Sequence, residues 1–323
     1  MSVVKSNLRG ALFALASFAI YASHDVVVKI LGAYYSPIQI IFFSQLLTFP
    51  LVTVMLMNDR TDGNLRPRHP WWTVLRSACT VITGVSAFYA FSVLPLAQTY
   101  AILFATPLLI TLLAIPVLGE TIGIRRGLAI VAGLAGVMIV LRPGAEALSL
   151  GHLAALTAAV TSSLASITVR KIGQAERSVV LLIYPMMANF IALGLALPFV
   201  YQPMPVEHFG MIGIIAACGF VAMLAIIAAY RVGEAVIVAP MQYSQMVWAA
   251  IFGALIFHER PDLFTWVGAA VIIGSGLYIV LRESRGHVSE NQPVLKSRSG
   301  PASGISPRIS LLLKRYEARD RDL

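Results

Sequence analysis

Residues 10–32 read GALFALASFAIYASHDVVVKILG, and residues 151–173 read GHLAALTAAVTSSLASITVRKIG. At an offset of 141, Gly10, Leu12, Ala14, Leu15, Val28 and Gly32 return as Gly151, Leu153, Ala155, Leu156, Val169 and Gly173, and the basic Lys29 returns as Arg170. Single identities between Leu- and Ala-rich stretches carry little weight. The offset, however, persists along the chain. A shift of 139 lays Ala78-Cys79 on Ala217-Cys218 and Glu120 on Glu259, and a shift of 140 lays IVLR (139–142) on the same four residues at 279–282. The chain is therefore an internal duplication with single-residue indels.

The duplicated unit is apolar. Of the 323 residues 58% are hydrophobic and 12% charged, against about 45–50% and about 25% in soluble globular chains, which excludes a soluble domain. The apolar residues fall in runs near 8–31, 37–57, 71–93, 97–117, 123–141, 151–170, 179–201, 209–230, 235–257 and 263–281, each of the length a helix needs to cross a hydrocarbon core of about 30 Å. The reading is an all-α polytopic membrane protein of ten transmembrane helices, with no loop long enough to fold a domain outside the bilayer. Each repeat holds five spans. Because five is odd, the second repeat enters the membrane with opposite polarity, the inverted arrangement that typifies secondary transporters.

The net charge of +9 would suit a nucleic-acid partner if the cations were clustered, but they sit at helix ends. With the N-terminus inside, 21 Lys and Arg residues fall on the inner side and only Lys29, Arg142 and Arg260 on the outer side. Positive-inside bias then places both termini in the cytoplasm. The domain plan is a short N-terminus (1–7), two five-helix repeats (8–141 and 151–281) and a basic tail (282–323). The tail is rich in Ser, Gly and Pro and is expected to be largely disordered; ISLLLKRYEARDR at 309–321 either rests on anionic lipid or stays in solvent. Cys79 and Cys218 lie inside apolar runs and offer neither a disulfide framework nor a metal spacing. No cofactor is expected. The chain has no Walker A motif, no HExxH and no paired intramembrane aspartates, so neither ATP-driven transport by this chain nor intramembrane catalysis is indicated.

Asp25 is the one acidic residue within a span, where a charge costs about 2.5–3.5 kcal/mol on insertion scales and so usually faces a cavity or a partner. Two readings follow. Asp25 and Lys29, at i and i+4, neutralise each other as a charge pair near the headgroups, or Tyr21, Asp25 and Lys29 with His24 form a polar stripe that gates a cavity, His titrating near neutrality. Adding 141 maps the stripe onto Ser162, Ser166 and Arg170, a second polar face. In the ninth span Gln242, Tyr243, Gln245 and Trp248 follow Pro240, and Tyr89 and Tyr100 stand in the third and fourth. Amides at this depth either glue helices together or bind substrate; the aromatics either pack or stack a planar ring. Pro107 and Pro240 are candidate kinks.

Each half closes its fourth span on a Glu, in VLGETIGIRRG at 117–127 and IFHERPDLFTWVG at 256–268, and continues into a Gly-rich fifth span. In this the chain resembles the drug/metabolite transporter superfamily of EamA type over residues 8–282, with His258 standing where Gly is usual. The resemblance implies ten helices around a central cavity in a bacterial inner membrane, alternating access and a small-molecule substrate, in a monomer or homodimer. On the same resemblance Tyr21, His24, Asp25, Tyr89, Tyr100, Gln242, Tyr243, Gln245 and Trp248 are the expected substrate-binding set. Their balance of rings and amides, with few charges, suits a planar uncharged ring, and the general pattern is similar to bacterial riboflavin transporters. Riboflavin uptake is the first expectation, with export of amino acids or related metabolites as the alternative, and a membrane scaffold or lipid flippase as the reading from another class.

Overall fold

The computed structural model describes residues 3–57, 66–120, 123–142, 148–173, 175–176 and 178–284. The tail beyond residue 284, with its candidate interfacial segment, and the loop at 58–65 lie outside them. Among the described residues the chain is helical without strands: α1 (Val3–Gly32), α2 (Pro37–Met57), α3 (Pro70–Val93), α4 (Leu96–Leu103), α5 (Thr106–Leu118), α6 (Ile124–Leu141), α7 (Leu150–Ile172), α8 (Ser178–Ala196), α9 (Val206–Val232), α10 (Ala235–Val238), α11 (Ser244–Ile256) and α12 (Leu263–Ser284). Two 3₁₀ turns intervene, Leu197–Phe199 after α8 and Ala239–Tyr243 between α10 and α11. In lipid a backbone must satisfy its own hydrogen bonds, and a helix does so within the segment.

Among the described residues eight stretches are long and apolar enough to cross a membrane. The other two expected spans are α2, where Pro50 sits inside the helix, and the ninth. The fourth and ninth spans are not single rods. The fourth breaks at Phe104 and Ala105, and Pro107 opens α5; its ring removes a donor and crowds the carbonyl four residues back. The ninth, expected as one helix over 235–257, is the four-residue α10, a 3₁₀ turn carrying Pro240, and then α11. The two breaks meet. Phe104 and Tyr243, related by the 139 offset, face each other edge to face with centroids 5.2 Å apart.

The two halves do not form separate bundles. The most extensive packing joins α1 to α9, α3 to α7 and α6 to α12, always across the halves, as an inverted repeat about one axis requires. Small residues permit this closeness, because in lipid helix association depends on packing and interhelical hydrogen bonds. A methyl on Gly10 would stand 2.5 Å from the Gly233 Cα where α1 enters against α9. Ser17 Oγ donates to the Ala222 carbonyl at 2.7 Å across that seam, and Thr83 and Thr161 share a 2.7 Å hydroxyl bond across the α3–α7 seam.

Both fourth spans end alike. Gly119 (φ 71°) and His258 (φ 55°) adopt the left-handed conformation, and the following Glu amide reaches six residues back, Glu120 to Ala114 at 3.3 Å and Glu259 to Gly253 at 2.9 Å. This closure satisfies carbonyls that a helix end leaves orphaned. A Cβ in that conformation costs about 1–2 kcal/mol, so the two repeats differ in strain at equivalent positions. Replacing His258 by Gly is expected to stabilise the protein by up to about 1 kcal/mol, read as a higher unfolding temperature in detergent. An unchanged or lower value would mean that the imidazole contributes more than its backbone costs.

Candidate functional site

Asp25 lies about two turns before the end of α1, 4% exposed, with His24 at 1%. A carboxylate at this depth must be hydrogen-bonded to be tolerated, and both oxygens are. His24 Nδ1 donates to Oδ1 at 2.8 Å, and the Tyr100 hydroxyl, from α4, donates to Oδ2. Gln245, 1% exposed near the start of α11, places Nε2 3.5 Å from the Tyr100 oxygen. The cluster thus draws on α1, α4 and α11, that is, on both halves and on both broken spans.

Aromatic rings surround these polar groups. Phe88 of α3 meets the His24 ring edge-on at 5.9 Å. Phe91 stands edge-on to Tyr100 at 5.1 Å, and Phe104 lies 6.0 Å from Tyr100 before passing the contact on to Tyr243. An anionic centre ringed by aromatic side chains offers charge to a cation and flat surface to a planar ring.

The other expected residues are placed differently. Tyr21 is buried in the α1–α9 seam with Phe18, Met223 and Ile226. Trp248, half-buried, stacks on Phe252 of its own helix at 6.1 Å. Tyr243 stands beside Phe104, its hydroxyl against Gly276 of α12. Tyr89 and Gln242 are half-buried and are not hydrogen-bond partners of the Asp25 cluster. Of the nine residues of the expected set, four converge: His24, Asp25, Tyr100 and Gln245.

The expected pair between Asp25 and Lys29 is not formed. Lys29 Nζ instead lies 2.5 Å from Glu259 Oε1, donates to the Leu94 carbonyl and sits 5.2 Å from the Phe257 ring centroid. Helical spacing permitted the pair, but Tyr100 and His24 already occupy the Asp25 oxygens, while the end of α11 brings a second carboxylate to Lys29. The Glu of the span-closing motif therefore does more than end a helix. In the other half Arg170 of α7 pairs with Glu120 just beyond α5, and Lys171 donates to the Val117 carbonyl at 2.8 Å. The repeat offsets held the signal for these partnerships, since Lys29 maps on Arg170 and Glu120 on Glu259.

Comparison with known proteins agrees with this architecture. The EamA-like transporter family model matches residues 8–142 and again 149–282. A crystal structure covering 85% of this chain and 96% of its own superposes with a TM-score of 0.56 at 17% identity, which shows the fold alone. Among curated relatives, the S-adenosylmethionine uptake transporter of Rickettsia prowazekii (strain Madrid E) is 25% identical over 90% of this chain and 98% of its own. The riboflavin transporter of Vibrio cholerae serotype O1 is 28% identical over 88% and 97%, and that of Brucella anthropi 26% identical over 76% and 88%. Matched over both five-span halves, this multi-pass membrane chain belongs to the EamA-like transporter family.

Proposed function

We propose that this transporter takes up a small metabolite with a planar ring, first one that also carries a positive charge, S-adenosylmethionine, and second the uncharged riboflavin, and that Asp25, His24, Tyr100 and Gln245 form its binding site. The observation that carries the reading is the Asp25 carboxylate, 4% exposed among aromatic rings. A carboxylate held by hydrogen bonds in an apolar enclosure attracts a cation placed beside it, an interaction that a neutral ligand does not offer. A sulfonium beside Asp25 and an adenine against the Phe91, Tyr100 and Phe104 rings match that chemistry. Riboflavin, the expectation from composition, has an uncharged ring and would use Tyr100 and Gln245 as hydrogen-bonding groups instead. It ranks second because it brings no positive charge to the Asp25 carboxylate. The relatives named for the two substrates support both readings.

The orientation proposed is both termini cytoplasmic in a bacterial inner membrane, on the charge asymmetry of 21 against 3. Purified protein in liposomes decides the substrate. Radiolabelled S-adenosylmethionine should accumulate inside and be displaced by unlabelled substrate and weakly by riboflavin. Accumulation of riboflavin alone would reverse the order, and efflux of amino acids with neither uptake would move the function to export. A reporter fused after Arg260 that is active only inside the cell would overturn the orientation.

A further inference from the structure

Among the described residues three ion pairs join the halves; Arg142–Asp262 lies where α6 meets α12, and the other two have one construction. Lys29 is in the last turn of α1, the first span of its repeat, and Arg170 is in the last turn of α7, the first span of the other. Each pairs with the Glu that closes the fourth span of the opposite half, Glu259 and Glu120 respectively. The offsets of 141 and 139 that relate the repeats carry one pair onto the other. Five crossings separate the two, so they lie at opposite faces of the membrane.

Each pair also grips backbone at its own end. Lys29 donates to the Leu94 carbonyl at the end of α3, and Glu259 Oε2 accepts the Leu96 amide at 2.9 Å at the start of α4. The first pair thus joins the mouth of the first half to the α11–α12 turn of the second. At the opposite face Arg170 and Lys171 both engage the end of α5. The four paired side chains are only 10–16% exposed, so both closures exclude most solvent. Asp25 is one helical turn deeper than Lys29, just inside the first of them.

A transporter built from two inverted halves opens at one face by parting the halves there, and whatever bridges them at that face must separate. From this we infer that Lys29–Glu259 and Arg170–Glu120 are the two gates of the transport cycle, one per face, released alternately, with the conformation described here closed at both. The inference deepens the transporter reading and does not depend on which metabolite is carried. Inversion itself supplies the device, because a single pairing rule written once in the ancestral repeat yields one gate on each side. The four residues are positioning residues that act on access to the site.

The test reads access, so it succeeds or fails whether or not the substrate has been identified. In a Cys79→Ala, Cys218→Ala background, Ser162→Cys is the reporter, half-buried midway along α7 and 3.2 Å from Thr106 at the fourth-span break. A membrane-impermeant thiol reagent is applied to right-side-out and inside-out vesicles. Before the reporter is labelled, Lys29→Cys with Glu259→Cys, or Glu120→Cys with Arg170→Cys, are joined by a short cleavable bis-methanethiosulfonate bridge that replaces the length of the two side chains. Bridging the Lys29 face should leave the reporter labelled from the Arg170 face only, at least tenfold faster than from the other. Bridging the Arg170 face should reverse the preference, and cleaving either bridge should abolish it. Contacts that merely hold the fold would tolerate a bridge, so labelling equal from both faces with the bridges complete would overturn the inference. If a cysteine pair fails to insert, Lys29→Glu alone should open that face and speed its labelling at least tenfold, while Lys29→Glu with Glu259→Lys returns it to the original rate. A single reversal that labels no faster overturns the inference as well. Uptake is then measured on the same preparations. Absence of uptake of either metabolite before bridging would count against the substrate assignment while the labelling still decides the gates.

Discussion

Asp25→Asn is expected to lower kcat/KM for uptake of a cationic substrate by roughly 10- to 100-fold while leaving the amount of protein in the membrane unchanged or higher. The substitution keeps size and shape and removes one charge. Hydrogen bonds to charged groups are worth about 1.5–3 kcal/mol, and about 1.4 kcal/mol is a factor of ten in an equilibrium, which sets the expected range. Insertion should not suffer, because an Asn at that depth is cheaper than an Asp. Tyr100→Phe removes only the hydroxyl on Oδ2 and should cost less than the charge itself. Adding Lys29→Met to Asp25→Asn should not restore uptake, because Lys29 is paired with Glu259 and not with Asp25. Normal uptake by the single variant, or recovery in the double one, would remove Asp25 from the binding site.

The second large effect is on stability, at the crossing of α6 and α12. A methyl on Gly268 would stand 2.7 Å from the Gly136 carbonyl oxygen and 2.5 Å from Val140 Cγ2, and one on Gly136 would meet the Gly268 carbonyl at 2.9 Å. The obstacle is backbone on both sides, so it cannot rotate away. Gly268→Val should therefore force the helices apart at a cost of about 1–3 kcal/mol, the usual range for overpacking. Detergent-solubilised protein should unfold at a clearly lower temperature. Gly274, on the same helix, is the control, since a methyl there would meet nothing within 4 Å. Gly274→Ala should be neutral or slightly stabilising, because Gly in a helix interior costs about 0.5–1 kcal/mol relative to Ala. Equal losses at the two positions would mean that α6 and α12 do not cross closely.

The site was legible in part. Asp25 stood out because a lone carboxylate in an apolar run violates the pattern around it, and Tyr100 and Gln245 stood out as polar groups in the fourth and ninth spans. The ring partners were not. Phe91 and Phe104 look like every other apolar residue of a lipid-depth helix, and nothing linear separates a Phe that faces Tyr100 from one that faces lipid. Trp248 and Tyr243 are both near Gln245 in the chain, yet Trp248 stacks along its own helix and Tyr243 packs on Phe104.

The number of crossings, the duplication and the inversion follow from the sequence alone, because each depends on quantities that add up along the chain: the apolar length a bilayer demands, a repeat offset, and an odd count of spans. Prolines likewise announced the breaks at Pro107 and Pro240, their effect being local to a turn of backbone. The choice of partners belonged to the tertiary structure. Helical spacing offers Lys29 its i−4 neighbour and the repeat offsets mark Lys29 and Glu259 only as equivalents of Arg170 and Glu120, whereas the inverted packing of α1 against the second half delivers Glu259 from 230 positions away, and the same packing gives Arg170 to Glu120. Ion pairs, ring contacts and the convergence of His24, Asp25, Tyr100 and Gln245 depend on which helix faces lie together, and that is settled by close approach of glycines across the halves, a property of two surfaces in space.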